Sequence, residues 1–345
     1  MLRRLLNELT VHVEVESHSP LLIKDGRFDK ERSPLKGSTI APSGVFISRS
    51  PLKEVIAALQ ALPDRDPVRK LQYYVPGSSV RGSWRSHLEM VLRSLDPDHP
   101  KVCDPLLTKN EENPDPGPWE ACSSVLVNKE NSRPKMAYKG SCPVCRLFGS
   151  TAQASRISFS DGRITGQPNP EIVDNVAINR FTGAVKSPFK SLALLGAKFT
   201  LDLHVENFEL WHVGLLAWLF EDLKAKRVPL GSGKNKGLGE ISAIASRVDL
   251  AYYGATDLGA GGKLLGIGEL LEPAADRTFY GLERTQNPPD VTLTPDPSAQ
   301  LPWRHSRAAE GAAAVDAFWS AAKPAFGDRW SRLPALADRK ARAGA

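Results

Sequence analysis

The chain has 345 residues, 41% hydrophobic and 24% charged, with a formal net charge of +6. That is the balance of a folded globular protein with room for one large domain or two ordinary ones. No apolar run approaches the roughly 18 residues of a membrane helix, and Asn7 and Glu8 interrupt the N-terminal stretch before a signal core can form, so a cytoplasmic protein is expected, in which four cysteines mean metal, catalysis or burial rather than disulfides.

In chain order, Leu9–Glu16 (LTVHVEVE) alternates apolar and polar residues and predicts a half-buried strand. A polar stretch of mixed charge follows, up to Gly44. Ser50–Leu62 has a serine cap, a proline at the first helical position and apolar helical spacing, which predict a helix ended by PDRDP. Over Tyr73–Leu95, the turn Pro76-Gly77-Ser78-Ser79 precedes a helix whose apolar face is Val80, Trp84, Leu88, Val91, Leu92 and Leu95. Arg81, Arg85 and Arg93 sit off that face. A glycine-serine turn at a helix start offers free N–H groups to an anion; simple capping is the alternative.

Residues 96–145 are rich in proline and acid with little periodicity, and predict an irregular insertion. Strands are expected at Ala154–Ser160 and at the end of 175–207, the latter after a hairpin-like excursion. A helix is expected over Leu210–Leu223, and after a glycine-rich turn a strand over Ile241–Leu250. This order predicts an α+β sheet with helices on one face. Residues 273–345 differ in composition and predict a C-terminal extension with one helix, 311–326, and a disordered end, ADRKARAGA.

Charge is concentrated. Between Arg133 and Lys198 there are ten basic residues against Asp161, Glu171 and Asp174, a pattern that suits a polyanionic partner and equally a solvated surface with acids opposite in space. All four cysteines, Cys103, Cys122, Cys142 and Cys145, fall within the insertion. Four thiolates on Zn²⁺ would fold a segment that has little apolar matter of its own. Inert thiols and a C-x-x-C redox pair are the other readings, and His99 is an alternative ligand to Cys103. The loop Gly231–Gly239 (GSGKNKGLG) fails as a Walker A motif, because Val228 stands where the first glycine belongs and Asn235 follows Lys234. It remains a loop of free N–H groups and two lysines suited to a phosphate backbone, or else a flexible turn. Asp25 and Asp29 are loop carboxylates able to bind Mg²⁺, though solvated loop acids are commoner.

Three segments in combination, YYVPGSSVRGSWRSHLE, SCPVCRLFGSTAQASRISFSDG and VPLGSGKNKGLGEI, with NVAINRFTGAV between the last two, resemble the RAMP superfamily of CRISPR-associated proteins. The likeness is to the backbone subunits of type III effector complexes, and it runs from about Leu9 to Leu250. It implies a modified RNA-recognition-motif sheet of the ferredoxin-like kind over 1–272, with a zinc-binding insertion at 96–145 and a thumb-like hairpin. The implied role is guide-RNA binding in antiviral defence. The implied partners are guide RNA, complementary target RNA, other effector subunits and copies of the chain, with no membrane.

By the same likeness Ser78, Ser79, Arg81, Arg85 and Arg146 meet guide RNA, as does the loop of Gly231, Gly233, Lys234, Lys236 and Gly237. Asn179, Arg180, Phe181 and Thr182 belong to the thumb, whose apolar tip wedges between bases. The C-x-x-C matches the zinc knuckle of several such subunits. Asp25 or Asp29 would support metal-dependent cleavage of target RNA, making the chain an endoribonuclease. One departure weighs against cleavage: Ser43 stands where many relatives carry an acid. A zinc-stabilised protein-interaction scaffold without RNA is the rival reading.

Overall fold

The computed structural model describes residues 4–28, 40–110, 112–126, 134–272, 274–285, 287–336 and 338. Asp29 and all of the ADRKARAGA end except Asp338 lie outside the described residues.

Strand β1 spans Asn7–Ser17 and β2 Ile40–Val45. Helices α1 (Leu52–Gln60) and α2 (Asp66–Arg69) lead to the short strand β3 (Tyr74–Val75) and the long helix α3 (Gly77–Ser94). The insertion holds only short helices: α4 (Cys122–Leu126), α5 (Pro134–Gly140) and α6 (Pro143–Phe148). Strands β4 (Ile157–Phe159), β5 (Gly162–Thr165), β6 (Pro170–Ile178), β7 (Val185–Leu194) and β8 (Lys198–Glu206) precede α7 (Leu210–Lys224) and β9 (Ile241–Tyr253). Then come α8 (Ile267–Leu270), α9 (Ala274–Tyr280), β10 (Thr294–Pro295), β11 (Arg304–Glu310), α10 (Ala312–Ala322) and α11 (Pro324–Arg332).

The main sheet runs β10-β11-β9-β1-β8-β5-β3, with β4 also paired to β8. Its central pairs, β9 with β1, β1 with β8 and β8 with β4, are all antiparallel. The alternation in β1 sorts its two faces as a period of two requires. Leu9, Val11, Val13 and Val15 are buried in the core, each worth about 1.5–3 kcal/mol of apolar burial, and on neighbouring strands α7 packs on β9 and α3 on β4. Trp84 of α3 packs edge-on against Phe159 of β4 and Phe220 of α7, and Phe220 stacks on Trp319 of α10.

The other face of the sheet is open and polar. It carries Glu8, Thr10, His12, Glu14 and Glu16 from β1 beside Asp202, His204 and Glu206 from β8 and Asp249 from β9. His12 sits between Asp202 and Asp249, 2.7 Å from each.

A second sheet, β2-β7-β6, carries the hairpin β6–β7. Its strand β2 pairs parallel to β7 inside a stretch that reads as loop, because Pro42 and Gly44 break the strand pattern. The C-terminal region departs further from expectation. Strand β11 extends the main sheet beyond β9, and the single helix expected over 311–326 is two, split at Lys323. The sequence RHSRAAE has no strand signature, and its conformation comes from the free edge of β9. Both helices pack on α7, where Gly214 lets the chain at Ala322 and Phe326 come close.

No helix among the described residues is long and apolar enough to cross a membrane.

Candidate metal centre and nucleic-acid interface

The four cysteines come together. Cys103 lies in the loop after α3, Cys122 opens α4, and Cys142 and Cys145 flank the first turn of α6. All four are buried, and their sulfurs lie within 4.8 Å of one another. The Sγ of Cys103 is 3.6 Å from that of Cys142 and 3.7 Å from that of Cys145. A tetrahedral ion with metal–sulfur bonds of about 2.3 Å spaces its sulfurs by about 3.8 Å, so the set can hold a metal ion with little movement. His99 is exposed and paired with Asp96, outside the cluster.

The knuckle follows from local sequence. Pro143 takes the first helical position, where its missing N–H is no loss, and the Cys142 sulfur accepts from the Cys145 N–H at 3.4 Å. The Cys142 N–H in turn donates to Cys122 Sγ at 3.2 Å. Gly149 ends α6 at φ +77, and a Cβ there would lie 2.6 Å from the Ser155 nitrogen, so only glycine allows this exit. Hydrogen bonds among the crowded sulfurs, with burial, push the Cys103 and Cys145 thiols up, while the bond from Cys103 pulls Cys122 down. Four such groups ionise together only around a cation.

The arginines expected to meet RNA are largely engaged inside the protein. Arg85 donates to Glu89 (2.7 Å), to the Gly149 carbonyl (3.0 Å) and to Cys145 Sγ (3.5 Å). Arg81 donates to the Phe148 carbonyl. Arg146 is buried, bonded to the Ser141 and Lys139 carbonyls and set against the Tyr138 ring. The first turn of α3, with Ser78 exposed and Ser79 half-buried, already has an internal anion. The Asp161 carboxylate accepts from the Gly77 N–H at 3.0 Å and pairs with Arg49 at 2.6 Å.

The glycine loop is presented outward. Gly233 and Gly237, both left-handed, bracket a single turn of Lys234–Lys236, with both lysines exposed. Gly231 anchors the loop, because a Cβ at its φ of +87 would lie 2.4 Å from the Leu22 carbonyl oxygen. Lys236 Nζ lies 4.9 Å from the centre of the Phe189 ring on β7. That contact brings the loop against the hairpin.

At the hairpin tip the Asn179 side chain accepts from the Phe181 and Thr182 N–H groups, holding the turn. Phe181 is fully exposed there, with Arg180, Val176, Ile178 and Val185 also open to solvent.

Asp25 is 2% exposed. Arg27 Nε lies 2.9 and 3.0 Å from its two oxygens, and the Arg27 N–H reaches Oδ1 at 3.1 Å. Arg27 also donates to the Ser48 and Ser50 carbonyls, tying the loop after β1 to the segment after β2. Three N–H groups of Arg27 and near-complete burial close this carboxylate to a solvated Mg²⁺ in this arrangement. Asp25→Asn is expected to lower stability by about 2 kcal/mol, below the range for fully buried pairs because Arg27 is partly exposed. Urea unfolding measures it, and an unchanged midpoint would contradict the clamp. Ser43 stands in strand β2.

Arg27 and Phe189 carry no motif and were not legible. Glu89 and Arg93 had a signal, the four-residue spacing Arg81-Arg85-Glu89-Arg93.

A family model described as the RAMP superfamily matches residues 14–242, about two thirds of the chain. No curated protein matches it.

Proposed function

Because the chain belongs to the RAMP superfamily of CRISPR-associated proteins, we propose that it is a guide-RNA-binding backbone subunit of a type III-like effector complex, its insertion held by a zinc ion on Cys103, Cys122, Cys142 and Cys145. The observation that carries this reading is Lys236 over Phe189, which joins the glycine loop to the hairpin in one exposed rim. Lys234 and Lys236 supply point charges for phosphates. Phe181 and its apolar neighbours supply a face on which bases stack or part.

The order β9-β1-β8-β4 around helices α3 and α7 supports the ferredoxin-like description. The open face of that sheet carries six carboxylates, Glu8, Glu14, Glu16, Asp202, Glu206 and Asp249, of which Lys198 pairs with Glu16 and Arg247 with Asp249, and the excess of acid disfavours a polyanion. It favours an RNA path along the rim instead of across the strands. Zinc would supply a covalent-strength cross-link between the loop after α3, α4 and α6. Cleavage draws less support than binding, since Asp25 is buried and clamped by Arg27.

The test is the purified full chain itself. Its ratio of absorbance at 260 and 280 nm should show bound nucleic acid, and after stripping it should retain single-stranded RNA on a filter at low salt. A chain that purifies clean and retains no RNA would leave the scaffold reading in its place.

A further inference from the structure

Helix α3 carries a stripe at four-residue spacing, Arg81, Arg85, Glu89 and Arg93, which puts all four on neighbouring turns of one side. Every member points at the cysteine corner or at the groups that hold it. Arg85 reaches Cys145 Sγ and the Gly149 carbonyl. Arg81 reaches the Phe148 carbonyl, the last residue of the helix that bears Cys145. Arg93 donates to the carbonyl of Cys103 itself at 3.1 Å. Glu89, buried, holds the Arg85 guanidinium in place at 2.7 Å.

The charges balance. A dication with four thiolates carries −2, and three arginines with one glutamate carry +2. A buried centre of that charge needs such a complement, because an uncompensated charge away from water is expensive.

We propose that this stripe is the outer shell of the metal centre, with Arg85 the residue that orients and neutralises the Cys145 thiolate. The inference rests on the metal reading above. It gives Arg81 and Arg85 a task in metal retention, and it leaves Lys234, Lys236 and Arg180 among the exposed cations of the rim. Outer-shell partners fix ligand orientation and strengthen the metal's hold, and their loss typically weakens binding by about 10–100-fold.

The experiment is zinc competition against a chromophoric chelator, on the full chain and its variants. Arg85→Ala should weaken zinc binding by about 10–100-fold. Arg85→Lys should recover part of it, keeping the charge and losing the fork that spans Glu89, Gly149 and Cys145. Arg93→Ala, which touches a ligand only through its carbonyl, should give a smaller loss. If Arg85→Ala does not fold, Arg85→Lys and Arg93→Ala carry the test alone. A wild-type chain that takes up zinc while all the folded variants hold it within about twofold, well short of that range, overturns the outer-shell role alone. A wild-type chain that takes up no zinc overturns the metal reading and this inference with it.

Discussion

Removing the proposed zinc ion, or replacing Cys122 with serine, should lower the thermal midpoint by about 10 °C or more. Structural zinc sites contribute on the order of 10 kcal/mol of apparent binding energy to folding, and a chain of 345 residues shifts by about 1.4 °C per kcal/mol, so most of that energy gives a shift of about 10 °C. The insertion makes the effect large here. Between α3 and β4 the described chain has only short helices, and the buried cysteines are much of what it brings to the core. The change should also reach α3, because α6 is tied to it through the Phe148 and Gly149 carbonyls. Calorimetry with and without a chelator checks this. Melts of the chelated chain, Cys122→Ser and wild type that coincide would show the thiols to be an inert cluster.

Replacing Lys234 and Lys236 together with alanine should weaken single-stranded RNA binding by more than tenfold at low salt and leave the fold intact. Both side chains project from a turn held by its flanking glycines, and Leu238, not the lysines, packs inward. Each lysine that neutralises a phosphate contributes about 0.7 to the slope of log affinity against log salt for a single strand. Losing both should flatten that slope by about 1.4. A structural role for the loop would instead lower affinity with the slope unchanged.

Much of the main sheet was legible because β1, β8 and β9 bury one face and alternate. The long helices α3 and α7 were legible from their apolar spacing. β2 and β11 were not, since Pro42 and Gly44 interrupt one and RHSRAAE has no apolar alternation. Each takes its conformation from a neighbour, β7 or β9, that the local sequence does not name. Of the candidate site, the cysteine grouping could be read from composition alone, as thiols without disulfide chemistry crowd into a segment short of apolar residues.

The arginines on α3 show where such reading stops. Spacing told that they sit off the helix's apolar face. It could not tell that Cys145 and the end of α6 lie opposite, because those partners arrive from about 60 residues further on and are placed by tertiary contact. The same limit hid the clamp of Arg27 on Asp25, which turns a loop carboxylate into a buried tie.

The most direct measurement is the salt dependence of single-stranded RNA binding by the stripped full chain, followed by filter retention beside the Lys234 and Lys236 double variant. RNA bound along the basic rim predicts a steep linear fall of log affinity with log salt for the wild type and a slope shallower by about 1.4 for the variant. Identical slopes, or no retention of RNA by the wild type at low salt, would contradict it.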